Sequence, residues 1–226
     1  FGFNDVDNNI FISASHADRS KGASKEHLAK IWRITEEKAQ KTLEVTTQWA
    51  MTTYEGPMKR HFKSRFPSLN KPRLREMYAT DTWFSSTPAL GGYTCAQLYY
   101  GVISKYLALY PMVRESQGPE TLEDFCRYKG APIKLKNDNA QMETGKTWTE
   151  ICRKYNIEQC TTEPHHPWQN EAERYIQEVK RLTNTMMDRT GCPDKLWALC
   201  ALHVVRIHNH LADRQLHWLT PIEIAF

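Results

Sequence analysis

Three acidic positions stand where carboxylates can do chemistry on a phosphate. Asp81 lies inside a β-rich run, MYATDTWF. An acid there disfavours strand formation and is costly to bury unpaired, so a functional reason is worth seeking. Asp138 follows the short strand PIKLKN at its C-terminal end, where open α/β sheets gather ligands. Taken alone, Asn137-Asp138-Asn139 is also turn chemistry. The third position falls in EPHHPWQNEAERYIQEVKR, residues 163–181, where Glu163, Glu171, Glu173 and Glu178 mix with Arg174, Lys180 and Arg181. Singly, each acid is more often structural than catalytic. Together, an Asp in mid-strand, an Asp ending a later strand and a Glu on a following helix can converge on one sheet edge. Such hard oxygen donors suit Mg2+, and two such ions roughly 3.5–4 Å apart activate an attacking oxygen and stabilise the leaving one.

The elements that must position these acids are readable from periodicity. REMYATDTWFSS, TCAQLYYGVIS and KYLALYPMV read as three strands in a meander, with Gly91-Gly92 turning between the first two. GPETLEDFCRYKG reads as a helix with Leu122, Phe125 and Cys126 inward and Gly130 at its end. APIKLKND is a fourth strand, TGKTWTEICRKYN a helix and IEQCTTE a fifth strand. A helix then runs to about Arg189, and PDKLWALCALHVVRIHNHLA is a last, well-buried one with Pro193 in its first turn. The pattern is that of a mixed α/β sheet.

Ahead of it, Ser24 and Thr35 each cap a short helix. Leu28, Ile31 and Trp32 form the inner face of the first, and Ala39, Leu43 and Thr46 that of the second. The pair suggests a helix-turn-helix, with Lys38, Lys41 and Gln48 available to DNA; a helical pair that merely packs is the alternative. Residues 58–75, MKRHFKSRFPSLNKPRLR, carry Lys59, Arg60, Lys63, Arg65, Lys71, Arg73 and Arg75 without an acid. Pro67 and Pro72 argue against a long helix, so this reads as a basic linker suited to phosphate contact, or as a solvated linker.

The net charge of +4 over 226 residues does not by itself demand nucleic acid. Six cysteines without a CxxC pair read as reduced thiols rather than a disulfide scaffold. No apolar run reaches the roughly 18 residues of a membrane span, and no membrane partner is expected. A chain opening on FGFNDVDNN without Met is expected to be a segment of a longer one.

TDTWFSS, then KNDNA, then PHHPWQNEAERYIQEVKR resemble the catalytic core of retroelement integrases. The last of these is similar to the Pro-x-x-Asn-x-x-x-Glu-Arg signature of the copia type, and the closing TPIEIAF looks like the end of such cores. The resemblance covers roughly residues 76–226. It implies a ribonuclease H-like fold and a triad of Asp81, Asp138 and Glu173, the last interval being 173 − 138 = 35 positions. It further implies two Mg2+ (or Mn2+) ions as cofactors. The implied partners are retroelement cDNA ends, target DNA and further protomers, as a homo-oligomer. The implied setting is the nucleus after a cytoplasmic particle stage, and the implied parent is a Pol polyprotein. Family members carry a His-His-Cys-Cys zinc site ahead of the core. Here His16 and His27 occur but no cysteine precedes Cys95, so no structural zinc is expected. This chain also has a loop shortened by one residue before the Glu, and Ala140 where a Gly is usual.

Helix geometry agrees with Glu173. Ala172, Ile176, Val179, Thr183 and Met186 form an inner stripe, while Glu173, Gln177, Lys180 and Asn184 line the face beside it. A DNA strand along that face would meet carboxylate, amide and cation in turn, with Arg174 and Asn139 as further contacts. The resulting division is a tail (1–23), a helix-turn-helix-like segment (24–50), a basic linker (51–75), a ribonuclease H-like integrase core (76–212) and its C-terminal end (213–226). The function expected is insertion of element cDNA into target DNA by 3′-hydroxyl strand transfer, with 3′-end processing as a related reaction. The alternatives are a catalytically inert DNA-binding remnant and a ribonuclease H-like nuclease that only hydrolyses. The tryptophans, among them Trp83, Trp148 and Trp197, are expected to pack; the apolar set Leu196, Trp197, Leu199, Leu202 and Val205 is expected to be buried within the monomer, with contact between protomers as the alternative.

Overall fold

The computed structural model describes residues 24–45, 65–137, 145–161 and 171–226. They fall in two compact units, one holding residues 24–45 with 211–220 and the other residues 65–137, 145–161, 171–210 and 221–226.

In the first unit, α1 (Lys25–Trp32) packs on α2 (Glu36–Val45). The hydroxyl of Ser24 accepts from the His27 amide, and that of Thr35 from the Lys38 amide, each at 3.2 Å. Both satisfy amides that a helix start leaves without partners. Between the helices Arg33 takes the left-handed conformation, φ 51°. Leu28, Ile31 and Trp32 are half-buried. On α2 the buried positions are Ala39 and Thr42, with Leu43 only half-buried; Thr46 and Gln48 lie outside the described residues. Thr42 is favoured inside because its hydroxyl is fully used. It donates to the Lys38 carbonyl at 2.8 Å and accepts from the Ala212 amide at 2.9 Å.

The second unit is built on a five-stranded mixed sheet. Its strands are β1 (Arg73–Phe84), β2 (Cys95–Gly101), β3 (Leu107–Met112), β4 (Ala131–Asn137) and β5 (Glu158–Thr161), in the spatial order β3-β2-β1-β4-β5. The β1–β2 and β2–β3 pairs are antiparallel, and the β1–β4 and β4–β5 pairs are parallel. The parallel crossovers contain α3 (Gly118–Tyr128) and α4 (Lys146–Tyr155). After β5 come α5 (Glu171–Thr190), α6 (Trp197–His210) and the short α7 (Pro221–Ala225). This is the ribonuclease H-like architecture, a mixed sheet flanked by helices.

The two faces of the sheet follow from strand alternation. One presents Leu74, Tyr78, Tyr99, Ala108 and Leu135 to Leu122, Phe125 and Cys126 of α3 and Trp148, Ile151 and Cys152 of α4. Phe125 stacks on Tyr99 at 4.5 Å. Each large side chain enclosed there contributes about 1.5–3 kcal/mol. The other face presents Ala79, Asp81 and Trp83 of β1 opposite Tyr100, Leu98 and Ala96 of β2, and α5 packs on both strands.

Local contacts set the ends of the elements. Gly130 ends α3 with φ +125°, and a Cβ there would lie 2.9 Å from the Pro72 carbonyl oxygen. Only glycine lets the chain pass into β4 so close to the start of β1. The Glu76 carboxylate accepts the amides of Ile103 and Ser104, fixing the β2–β3 turn. The helix expected over 193–212 opens as a 3-10 turn, Asp194–Leu196, before α6. Pro193 therefore stands just outside it as the cap. Trp197 and Val205 are buried, but Leu199 and Leu202 are 57% and 37% exposed, against the expectation of burial. Their face of α6 turns away from β3 and α5.

Candidate active site

Asp81 lies near the middle of the sheet, half-buried on β1. The amide of Thr82 donates to its Oδ1 at 2.7 Å. On the opposite face its two neighbours are tied to β2 by one buried side chain. Gln97 donates to the Thr80 hydroxyl at 2.6 Å and accepts from the Thr82 hydroxyl at 2.7 Å. Thr80 in turn donates to the Leu98 carbonyl. These bonds fix the strand on either side of Asp81, and its carboxylate is tolerated there because it is only half-buried and accepts the Thr82 amide.

Asp138 and Asn139 lie outside the described residues. The strand that leads to them does not: β4 ends at Asn137, which pairs in parallel register with Thr80, the neighbour of Asp81.

Glu173 stands exposed in the first turn of α5, where the positive end of the helix dipole favours a carboxylate. The inner stripe is Ala172, Ile176, Val179, Thr183 and Met187, each at most 8% exposed. The expected last member, Met186, is half-buried; steps of four, three, four and four residues hold the stripe on one side through position 187. Tyr175 stacks on Tyr100 of β2 at 4.0 Å. Farther along, the Lys180 ammonium lies 5.6 Å from the centre of the Trp83 ring. Trp83 packs against Trp197 of α6 at 5.0 Å, and the Trp197 indole donates to the Thr87 carbonyl. Since Trp83 and Asp81 share a face of β1, α5 crosses the side of the sheet on which Asp81 lies. Lys180 is thus a half-buried cation with a fixed resting place, while Gln177, Arg174 and Asn184 are exposed. Glu178 makes a bidentate pair with Arg181, at 3.0 and 2.7 Å, and its carboxylate is committed there.

The basic segment differs from its reading as a linker. Lys59, Arg60 and Lys63 lie outside the described residues. Arg65 sits over the exposed ring of Phe66. Residues Pro67–Asn70 form a 3-10 turn, and β1 already begins at Arg73. Lys71 donates to the Arg127 carbonyl at the end of α3. The Arg73 guanidinium donates to the carbonyls of Tyr155 and Asn156, at the end of α4. Helix C-termini leave carbonyls without partners and favour cations, so these two side chains hold the fold together. Arg75 is exposed on β1.

The donor set suits a hard divalent cation: Asp81 and Glu173 offer only carboxylate oxygens. Among the described residues no group of three His, Cys, Asp or Glu side chains gathers; the third acid of the expected set, Asp138, is not among them. His27 is exposed on α1, and His16 lies outside the described residues.

The chain thus has a ribonuclease H-like unit with an acid at mid-sheet and a second on the helix that crosses it. No protein-family model matches it, and no curated protein does. Solved structures do. The HTLV-2 integrase catalytic core domain in complex with magnesium, in trimeric and dimeric forms, is 17% identical with a TM-score of 0.55, covering 68% of this chain and 97% of that one. The simian T-cell lymphotropic virus intasome in complex with the PP2A regulatory subunit B56 gamma is 14% identical with a TM-score of 0.53, covering 72% of this chain and 57% of that one. At such identities the likeness is one of fold, and the fold is that of integrase catalytic cores.

Proposed function

We propose that this chain is the integrase of an LTR retroelement of the copia type, a polynucleotidyl transferase that joins a cDNA 3′-hydroxyl to a target phosphodiester. The observation that supports it best is the passage of α5 across the Asp81 face of β1, with β4 ending beside Thr80 and one residue short of Asp138. Asp81, Asp138 and Glu173 are the residues that would hold two Mg2+ or Mn2+ ions. When bound, those ions supply charge neutralisation at the phosphodiester and activation of the attacking oxygen. The protein's own part is position. The Gln97 bridge fixes Asp81, and the Tyr100–Tyr175 stack and the Lys180–Trp83 contact fix α5 beside it. Glu173 and Lys180 are seven residues apart, about 10 Å along the helix axis. DNA following α5 therefore meets the carboxylate first, Gln177 next and the ammonium last. With water in place of the 3′-hydroxyl the same site trims cDNA ends.

Element cDNA ends and target DNA are the nucleic-acid partners in this reading. Arg65, Arg75 and the segment holding Lys59, Arg60 and Lys63 serve as phosphate contacts, and the helical pair over 24–50 as a DNA-binding segment. The neighbours include dimeric and trimeric cores and an intasome. Leu199 and Leu202, exposed on α6, are the contact we assign to further protomers. The site of action is the nucleus.

The test is strand transfer by the full chain with Mn2+ and a duplex carrying the element's terminal sequence. Asp81→Asn and Glu173→Gln abolish joined product while the fold, followed by circular dichroism, persists. Undiminished joining by either variant overturns the assignment. Hydrolysis without joining by the unaltered chain makes it a nuclease only, and neither reaction an inert remnant.

A further inference from the structure

Two thiols meet outside the site. The Sγ atoms of Cys192 and Cys200 are 3.6 Å apart, one thiol donating to the other, and no disulfide joins them. Cys192 is half-exposed in the turn between α5 and α6, beside Gly191 with φ +63°, and Cys200 faces it from the first turns of α6 at 9% exposure. The other four thiols lack such a pairing with access to solvent. Cys95 is buried on β2, and Cys126 and Cys152 are enclosed between α3, α4 and the sheet at 0% and 2% exposure. Burial pushes their thiols up, that of Cys126 to about 12 and that of Cys152 to about 11, which suppresses the reactive thiolate. Cys160 is half-exposed on the edge strand β5.

We propose that Cys192 and Cys200 form a reversible dithiol–disulfide site, oxidised by a peroxide and reduced by a small thiol. A disulfide needs the sulfurs about 2.0 Å apart, so they must close by about 1.6 Å. The chemistry balances. The Cys192 thiolate attacks one peroxide oxygen, the O–O bond breaks, and hydroxide leaves with a proton as water, giving a sulfenic acid. The Cys200 sulfur attacks the sulfenic sulfur, the S–O bond breaks, and the departing hydroxide takes the Cys200 proton as a second water. Two thiols lose two electrons and the peroxide gains them. Cys192 attacks first because it is the member that solvent reaches; burial and the neighbouring sulfur push the Cys200 thiol up to about 11. The product ties the end of α5 to α6, a covalent staple on the helix whose other end bears Glu173. Its formation does not depend on the proposed activity.

The test uses the full chain with hydrogen peroxide, then alkylation and trypsin without reductant. Lys195 separates the two cysteines, so the bond links TGCPDK (190–195) to LWALCALHVVR (196–206). The expected result is that two of the six thiols are lost, that this linked peptide appears, and that dithiothreitol restores both thiols. Cys192→Ser and Cys200→Ser each abolish the link, while Cys160→Ser leaves it. The site is disproved if six thiols survive, if Cys192 stops at sulfinic acid with Cys200 still free, or if the linkage joins two chains or other cysteines.

Discussion

Replacing Asn209 tests how the helix layer is held to the sheet. Asn209 is buried on α6, and its side chain treats the edge of β3 as another strand would. Its Nδ2 donates to the Leu107 carbonyl and its Oδ1 accepts from the Leu107 amide, both at 2.8 Å. Leu107 is itself 1% exposed, so water cannot replace either bond. Asn209→Leu, close in size, breaks both hydrogen bonds and strands a buried N–H and C=O, at about 1–3 kcal/mol apiece. A net loss of about 2–6 kcal/mol follows, a large share of the 5–15 kcal/mol typical of a domain. Urea unfolding followed by tryptophan fluorescence measures it. With a slope of about 2 kcal/mol per molar, the midpoint falls by about 1–3 M and the slope is unchanged. Asn209→Asp keeps the acceptor but sets a carboxylate against the Leu107 carbonyl, and it loses at least as much. A midpoint shift below about 0.3 M for Asn209→Leu would refute the account of the α6–β3 junction.

Thr42→Val removes the acceptor of the buried Ala212 amide and destabilises the first unit by about 1–3 kcal/mol, read as loss of amide protection at Ala212 in hydrogen exchange. Glu178→Gln breaks a solvent-exposed i,i+3 pair with Arg181; stability changes by less than about 0.5 kcal/mol and joining is unaffected. Lys180→Met preserves the packing on Trp83 but removes the cation, so DNA affinity falls and the salt slope shrinks by about one, measured by anisotropy at several salt concentrations. With the protein native, Cys126 and Cys152 resist a maleimide while Cys192 and Cys160 react, because the first two are enclosed and their thiols pushed up.

Much of the second unit was legible because its signals are local. Strand alternation with Gly91-Gly92 at positive φ gave the meander, and the stripe from Ala172 to Thr183 gave the buried side of α5. Errors came where the deciding partner is remote in sequence. Met187 rather than Met186 closes the stripe although both lie about 50° from its centre at about 100° per residue, so the neighbours packed against α5, not the period, decide. Thr42 displaces Leu43 inside because its hydroxyl finds an amide 170 positions away. Lys71 and Arg73 read as phosphate contacts, and their bonds to the ends of α3 and α4 add a structural role whose partners lie far along the chain. Asn209 and the Cys192–Cys200 contact carried no signal at all. Leu199 and Leu202 read as core from composition, which cannot tell a covered face from one left open. The acids read in the sequence as an ordered set; the structure places Asp81 on the central strand and Glu173 on the helix that crosses it, and Asp138 lies outside the described residues.

The most direct measurement is a crystal structure of the full chain grown with Mn2+, read at the manganese absorption edge. Anomalous density is expected where the Asp81, Asp138 and Glu173 carboxylates meet, the three that would hold the ion. Carboxylates in separate neighbourhoods, with manganese bound elsewhere, would contradict it.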